Sequence, residues 1–326
     1  MVNFIKVQEK LLHVLARQAG LRLQPVEVEP GTVMSFWVPK GKATAEGNLS
    51  VIDAENLTKT SNKSREMMKK KDDQRPAVVL VHGFAFDGLY TWQFQIGALA
   101  KSYDLYVPDL LFFGLSQTSS TDRSVRFQAD CLIAALMWLG VEKCTVVGFS
   151  YGGFVAFKMA EIKPDMVHSL VISGSLVAMT ESKSKPMLES LGRKSFAELL
   201  LPETVEGLKA LLSSGSYRKF WLPNFIYKDF LEVMFSQKKE RAELLEAMIV
   251  NNNDVSLPNF SQLKILLLWG DNDSIFRVQL AKDMKEQLGE NTTIQIIGKA
   301  GHLAHVERPC YYNRYLKKFL AANLPH

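Results

Sequence analysis

The chain is poor in cysteine, has no long uninterrupted apolar run, and carries no large excess of charge of one sign. Its three cysteines, Cys131, Cys144 and Cys310, lie far apart. That spacing argues against a disulfide framework, shows no metal-binding pattern, and fits a reducing, cytoplasmic compartment. Near the N-terminus Lys6, Glu9 and Lys10 interrupt the apolar residues, so no stretch there has the length of a signal peptide or a membrane span. Lys and Arg number 39 against 34 Asp and Glu, a net charge of +5, and they are scattered among the acids rather than gathered on one face. Nucleic acid is therefore not an expected partner.

What is present describes a globular chain. An apolar share of 47% with 22% charged residues leaves ample material for a core and lies far from the composition of disordered segments. The 326 residues accommodate one large α/β domain with an inserted subdomain, or two ordinary domains.

The spacing of Phe4, Val7, Leu11, Leu12, Val14 and Leu15 predicts an amphipathic helix within residues 1–20. Its apolar stripe is expected to dock on the main body; a peripheral membrane contact or a partner helix is the alternative. Two strand-like runs, 21–28 and 32–38, flank Glu29-Pro30-Gly31 and read as a hairpin. Residues 40–76 are polar, without aromatics, and include the Lys-rich run 63–71, so they are expected to form a mobile, solvated insertion. From residue 77 onward short β-branched and aliphatic runs recur at 77–81, 105–107, 144–147, 170–172, 265–269 and 293–297, as buried parallel strands do. Helical patterns separate them, including 125–139, which ends at Gly140, and 152–162, which stops before Pro164. This alternation predicts a mostly parallel, eight-stranded sheet flanked by helices, built from residues 21–176 and 259–326. Between them, residues 177–258 show helical patterns at 203–212, 227–235 and 239–250 and no convincing strand. They are expected to form a helical cap over the carboxyl edge of the sheet, inserted between two late strands.

A hydroxyl is a weak nucleophile at neutral pH, so a serine enzyme needs a base, a group to orient the base, and donors for an oxyanion. The strand-like run 144–147 leads directly into Gly148-Phe149-Ser150-Tyr151-Gly152, and the residues beyond read as helix. Roughly one chain of this length in ten would contain G-x-S-x-G by chance at ordinary glycine content, so the strand–turn–helix context carries the weight. Ser150 is the expected nucleophile, with Gly148 and Gly152 small because strand and helix approach closely there. Of six histidines, His302 in Lys299-Ala300-Gly301-His302 follows the last strand at the edge where such sheets bind ligands, and is the expected base; His305 is expected to be structural. After the strand ending Leu268-Trp269-Gly270, either Asp271 or Asp273 could orient the base, and Asp273 is favoured because Asp271 sits at the turn itself. The chain order Ser150, Asp273, His302 differs from that of chymotrypsin and subtilisin. The oxyanion donors are expected from the backbone of Tyr151 and of Phe84 in His82-Gly83-Phe84, with His82 shaping the loop. Phe86, Trp92 and Trp221 are candidate substrate-pocket residues, in a region where Phe220, Phe225, Tyr227, Phe230, Met234 and Phe235 add aromatic and apolar surface. No metal or organic cofactor is required.

Five ordered motifs give the chain, from about residue 76 onward, a strong resemblance to the α/β-hydrolase superfamily: H-G-F at 82–84, P-D-L-x-x-F-G-x-S at 108–116, G-x-S-x-G at 148–152, G-x-x-D at 270–273 and G-H-x-x-H-x-E-x-P at 301–309. Within it the pattern resembles plant proteins labelled epoxide-hydrolase-like or monoacylglycerol-lipase-like, and the meta-cleavage-product hydrolases. The resemblance implies a Ser150, Asp273, His302 triad and a cap that selects the substrate. Epoxide hydrolases and haloalkane dehalogenases of this fold carry Asp at the elbow, where this chain has Ser150. The expected activity is thus hydrolysis of a small-molecule ester with an apolar acyl or aromatic group. Carbon–carbon hydrolysis or lyase chemistry with the same triad, or a receptor with slow turnover, are the alternatives.

Overall fold

The computed structural model describes residues 3–43, 75–219, 221–254 and 258–323. Residues 44–74, which hold most of the polar insertion and the whole Lys-rich run, lie outside them, as does Phe220.

The hairpin forms as expected: β1 (Leu21–Glu29) and β2 (Thr32–Pro39) pair antiparallel, with Leu21 opposite Pro39 and Val26 opposite Met34. It continues a sheet containing β3 (Ala77–Val81), β4 (Asp104–Pro108), β6 (Cys144–Phe149), β7 (Val167–Ser173), β10 (Lys264–Gly270) and β11 (Thr292–Ile297). The spatial order is β1-β2-β4-β3-β6-β7-β10-β11, and the two-residue β5 (Gln117–Thr118) hangs off β2. All pairings from β4 to β11 are parallel. The sheet is thus the mostly parallel, eight-stranded one expected, with one short extra strand. β6 lies in its middle and every one of its residues is buried, which its β-branched and aromatic sequence suits.

Helices cover both faces of such a sheet because parallel strands need crossover connections. The ones that matter for the site are α2 (Gly88–Leu99), α3 (Val125–Trp138) and α4 (Tyr151–Ile162). Ser124 caps α3 by accepting from Phe127 N, and the helix is followed by Gly140 at φ 75°. α4 is buried almost throughout and ends at Ile162, so that Lys163, the residue before Pro164, is already outside the helix.

Among the described residues between β7 and β10 there are five α-helices: α5 (Glu181–Ser190), α6 (Phe196–Leu200), α7 (Val205–Gly215), α8 (Asn224–Met234) and α9 (Lys238–Ala247). Sequence reading expects no strand here, yet β8 (Met179–Thr180) and β9 (Ile249–Val250) form a two-residue parallel pair. They are too short to leave a periodicity, and only tertiary folding brings the two ends of the insertion together. Arg241 of α9 fastens this insertion to the body. Buried, it donates to Phe112 O (2.9 Å) and Met234 O (2.5 Å) and lies 4.2 Å from the Phe113 ring centroid.

The N-terminal helix, α1 (Phe4–Gln18), forms but docks differently from expectation. It buries Ile5, Leu12 and Ala16, whereas Phe4, Val7, Leu11, Val14 and Leu15 of the predicted stripe remain exposed. The docking face is narrower than the apolar periodicity: Ile5, Leu12 and Ala16, spaced seven and four residues apart, fall on one side of the helix, which packs against α2, α8 and β1. Tyr90 of α2 donates to Ile5 O (2.8 Å), and Asp229 of α8 accepts from Phe4 N (2.8 Å), supplying a carboxylate to a helix start that has no acid of its own. None of the described helices is long and apolar enough to cross a membrane.

Candidate active site

At the carboxyl end of β6 the chain reverses into α4 within a single residue. Ser150 takes φ 52°, ψ −120°, a conformation that costs a non-glycine residue about 1–3 kcal/mol and persists only when its surroundings enforce it. Ser150 N–H donates to Ser173 O at the end of β7 (2.9 Å), so the neighbouring strand fixes the turn. The flanking glycines are needed for close approach. A Cβ on Gly148 would lie 2.6 Å from Gly152 O, and one on Gly152 would collide with the carbonyl oxygens of His82 and Val81.

Two other strand ends bring in the remaining polar groups. The turn after β10 carries Asp273, and the turn after β11 carries His302; both are buried, and His302 Nδ1 lies 2.9 Å from Asp273 Oδ2. Asp273 Oδ1 accepts from Ile275 N (2.9 Å) and Phe276 N (2.8 Å), which fixes the carboxylate plane. The imidazole is held between rings, 4.8 Å from Phe149 and nearly parallel to Phe276 at 5.6 Å. Because Asp273 occupies Nδ1, the free nitrogen of His302 is Nε2. Asp271, the alternative acid, is exposed and accepts from Ala300 N (3.2 Å), so it serves the backbone of the turn after β11 rather than the imidazole.

Ser150 and His302 line the same cavity, of about 40 Å³, with Gly83, Phe84, Ala85 and Phe86 from the loop after β3. Leu200, Leu211, Leu212 and Gly215 of the helical insertion close it from above, and Ile275 and Leu303 complete its apolar wall. Phe84 packs edge-on to Tyr151 (5.7 Å) and Phe113 (5.3 Å), so the loop after β3 is braced against the first turn of α4. His82 sits behind this loop rather than in the cavity. Leu110 N donates to His82 Nε2 (2.9 Å), which leaves the proton on Nδ1, 2.6 Å from Gly83 O. Burial, aided by the Arg241 charge and opposed by the Gly83 bond, pushes its pKa down to about 4, so the ring is neutral and structural. The P-D-L motif thereby gains a role: Asp109 Oδ1 accepts from Gly88 N (2.9 Å) while Leu110 holds His82.

The candidate pocket aromatics separate. Phe86 lines the cavity. Trp92 does not: it is fully buried, 5.3 Å from His305 and 6.4 Å from Tyr312, at a local kink in α2 that turns it into the core. Trp221 does not either, being 86% exposed. His305 is structural as expected, wedged 4.3 Å from Phe149, with burial and the neighbouring His302 pushing its pKa down to about 3.

Sequence reasoning gave Glu307 no role although its motif contains it. Its carboxylate accepts from Gly301 N (2.7 Å), Tyr217 N (3.1 Å) and Arg218 N (2.9 Å), tying the His302 turn to the insertion, and Leu303 N donates to Gly215 O (3.0 Å) beside it. The signal was the acid following the histidines, but two of its three partners, Tyr217 and Arg218, lie about 90 residues away. Among the described residues no group of three or more His, Cys, Asp or Glu is arranged to hold a metal ion.

Comparison with known proteins gives this arrangement its context. The chain is 26% identical over 284 residues to human "Epoxide hydrolase 4", a match covering 76% of this chain and 72% of that one. It is 26% identical over 258 residues to "Monoacylglycerol lipase ABHD6" of Bos taurus, covering 76% of each. Its fold superposes on a meta-cleavage product hydrolase from Pseudomonas fluorescens with a TM-score of 0.63 at 19% identity, over 76% of this chain and 92% of the other. The family model described as the alpha/beta hydrolase fold matches residues 76–309, the span that carries all five ordered motifs, and the chain belongs to that family.

Proposed function

We propose that the protein is a serine esterase, lipase-like in its apolar site, that cleaves esters of apolar acyl or aromatic small molecules through an acyl-enzyme at Ser150. The observation that carries this is the strained Ser150 turn opening into the cavity lined by a histidine whose Nδ1 is engaged by a buried aspartate. Ser150 Oγ attacks the ester carbonyl carbon while its proton passes to His302 Nε2; Asp273 holds the tautomer and stabilises the imidazolium. Backbone N–H groups of Phe84 and Tyr151 receive the oxyanion. Tyr151 suits this because it opens α4, where the first N–H groups lack intrahelical acceptors and the helix favours negative charge. Collapse sends the His302 proton to the departing alkoxide, and water repeats the sequence to release the acid. No cofactor enters any step. The helical insertion acts as the cap that shapes the acyl site.

Ser150 also decides between names. An Asp elbow belongs to epoxide opening through a carboxylate ester, so the epoxide-hydrolase label of one relative does not transfer to this chain. The three unpaired cysteines support a cytoplasmic setting. Carbon–carbon hydrolysis with the same triad is the second reading, favoured by the likeness to the meta-cleavage product hydrolase; a panel setting esters against vinylogous diketones separates the two.

Ser150→Ala is expected to abolish both hydrolysis of short p-nitrophenyl esters and labelling by a fluorophosphonate. Labelling of the variant at the wild-type level would overturn the assignment.

A further inference from the structure

The outward face of α1 is apolar in a way its docking does not explain. At about 100° per residue, Phe4, Val7, Leu11, Val14 and Leu15 fall on one arc roughly 100° wide. Each is between 45% and 55% exposed. Lys6, Lys10 and Arg17 fall together on the arc beside it, all exposed, and the exposed residues of α1 include no carboxylate. Phe225 extends the apolar surface onto the helical insertion, its ring 5.5 Å from Phe4, and the nearly fully exposed Trp221 stands shortly before it in the chain, after exposed Arg218 and Lys219.

A second cavity, of about 160 Å³, lies between this surface and the catalytic one. Phe86, Thr91, Leu212 and Leu303 are walls of both cavities, while the far wall is formed by Gln8 of α1 with Leu222 and Phe230 of the insertion. The 40 Å³ beside Ser150 has room for only about three or four waters, too little for an extended acyl chain. The adjoining apolar space is where such a chain can lie.

We propose that the outer face of α1, with Phe225 and Trp221, rests on an anionic phospholipid surface, and that acyl chains pass from it along the second cavity to Ser150. An apolar arc flanked by lysine and arginine is the pattern of helices lying in a bilayer interface, with each basic residue attracted to anionic headgroups. Trp at the edge suits the headgroup level. A protein partner fits less well, because lysine is depleted in protein interfaces. Lys6 is the exception within the strip, being paired with Glu232 at 2.7 Å; Lys10 and Arg17 carry the attraction. The substrate half of the inference rests on the serine esterase assignment; the surface half does not.

The test is flotation of the full chain with vesicles of phosphatidylcholine, with and without phosphatidylserine, alongside turnover of a short soluble p-nitrophenyl ester and of a long-chain ester dissolved in the vesicles. Wild type is expected to float with the phosphatidylserine vesicles, less at high salt. Val7→Asp with Leu11→Asp, both on the exposed arc, should weaken flotation at least about tenfold by removing apolar insertion. Long-chain turnover should fall with it while short-ester turnover stays unchanged. Lys10→Glu with Arg17→Glu should erase the preference for phosphatidylserine. Wild type left in solution with both vesicle types, or the aspartate variant floating like wild type, overturns the proposal. So does a wild-type dimer, dissociated by the aspartate variant, that binds no vesicles, which would assign the face to a second copy. Flotation that responds to the variants without any ester turnover would instead leave the surface standing and remove the esterase assignment.

Discussion

Asp273 divides its two carboxylate oxygens between different partners, and that division predicts what its amide would do. Oδ1 accepts from two backbone N–H groups, so in Asp273→Asn the amide oxygen must keep that place and the NH₂ must face His302. Nδ1 of His302 would then have to accept, moving the ring proton to Nε2, where it cannot take one from Ser150. Asp273→Asn should therefore keep the fold and lower kcat for a short ester roughly 10³- to 10⁴-fold, as checked by steady-state kinetics beside an unfolding curve. Asp271→Asn, which keeps an oxygen to accept from Ala300 N and does not touch the imidazole, should leave kcat close to that of wild type. At this scale the sequence narrowed the acid to two aspartates in one short turn. Turn chemistry favoured Asp273, and the structure sets that residue beside a histidine 29 residues away in the chain.

Among the elements, the β6–α4 unit was legible because its information is local: β-branched strand residues, a glycine-flanked turn and a helix start occupy consecutive positions. The His302 turn was half legible. Its placement after β11 followed from alternation, whereas its anchoring to the insertion through Glu307 did not. Glu307→Ala would leave the N–H groups of Gly301, Tyr217 and Arg218 without their acceptor. A loss of about 3 kcal/mol in unfolding free energy is expected, since bonds to a charged group are each worth roughly 1.5–3 kcal/mol before relaxation and solvent compensate. Glu307→Gln, which keeps an acceptor oxygen, should recover part of it. Because Glu307 acts through the His302 turn and the insertion together, KM and kcat should both move in Glu307→Ala, a result that simple loosening of the surface would not give. Helix α1 shows the opposite case: its apolar periodicity marks a helix, but the face that docks is another one.

For the molecule as a whole, burial of neutral histidines makes stability depend on pH. His305 titrates near 3 in the native state against 6.5 when unfolded, so below pH 6.5 the unfolded chain takes up a proton that the native chain refuses. The stability it contributes is present above 6.5 and lost as pH falls toward 3. Asp87 acts in the opposite sense. Burial pushes its pKa up to about 6, so its contribution is present at low pH and lost as pH rises through that value. Comparing His305→Leu with wild type separates the two. The difference in unfolding free energy, from urea titrations, should shift in favour of the variant by about 2 kcal/mol between pH 7 and pH 5, at about 1.4 kcal/mol per pH unit below 6.5. An unchanged difference would mean that His305 takes up its proton at the same pH in the native and the unfolded chain.

By itself the sequence determined the strand and helix alternation, the order of Ser150, Asp273 and His302, and the need for glycine at 148 and 152. These rest on periodicity and turn chemistry, which act over a few residues. Only the tertiary structure decided that Trp92 belongs to the core and Trp221 to solvent, that Phe86 faces the site, and that α1 turns its broader apolar face outward. An aromatic or leucine side chain is buried by whatever neighbour the completed fold brings to it. That neighbour is set by packing between segments far apart in the chain, and no local pattern encodes it.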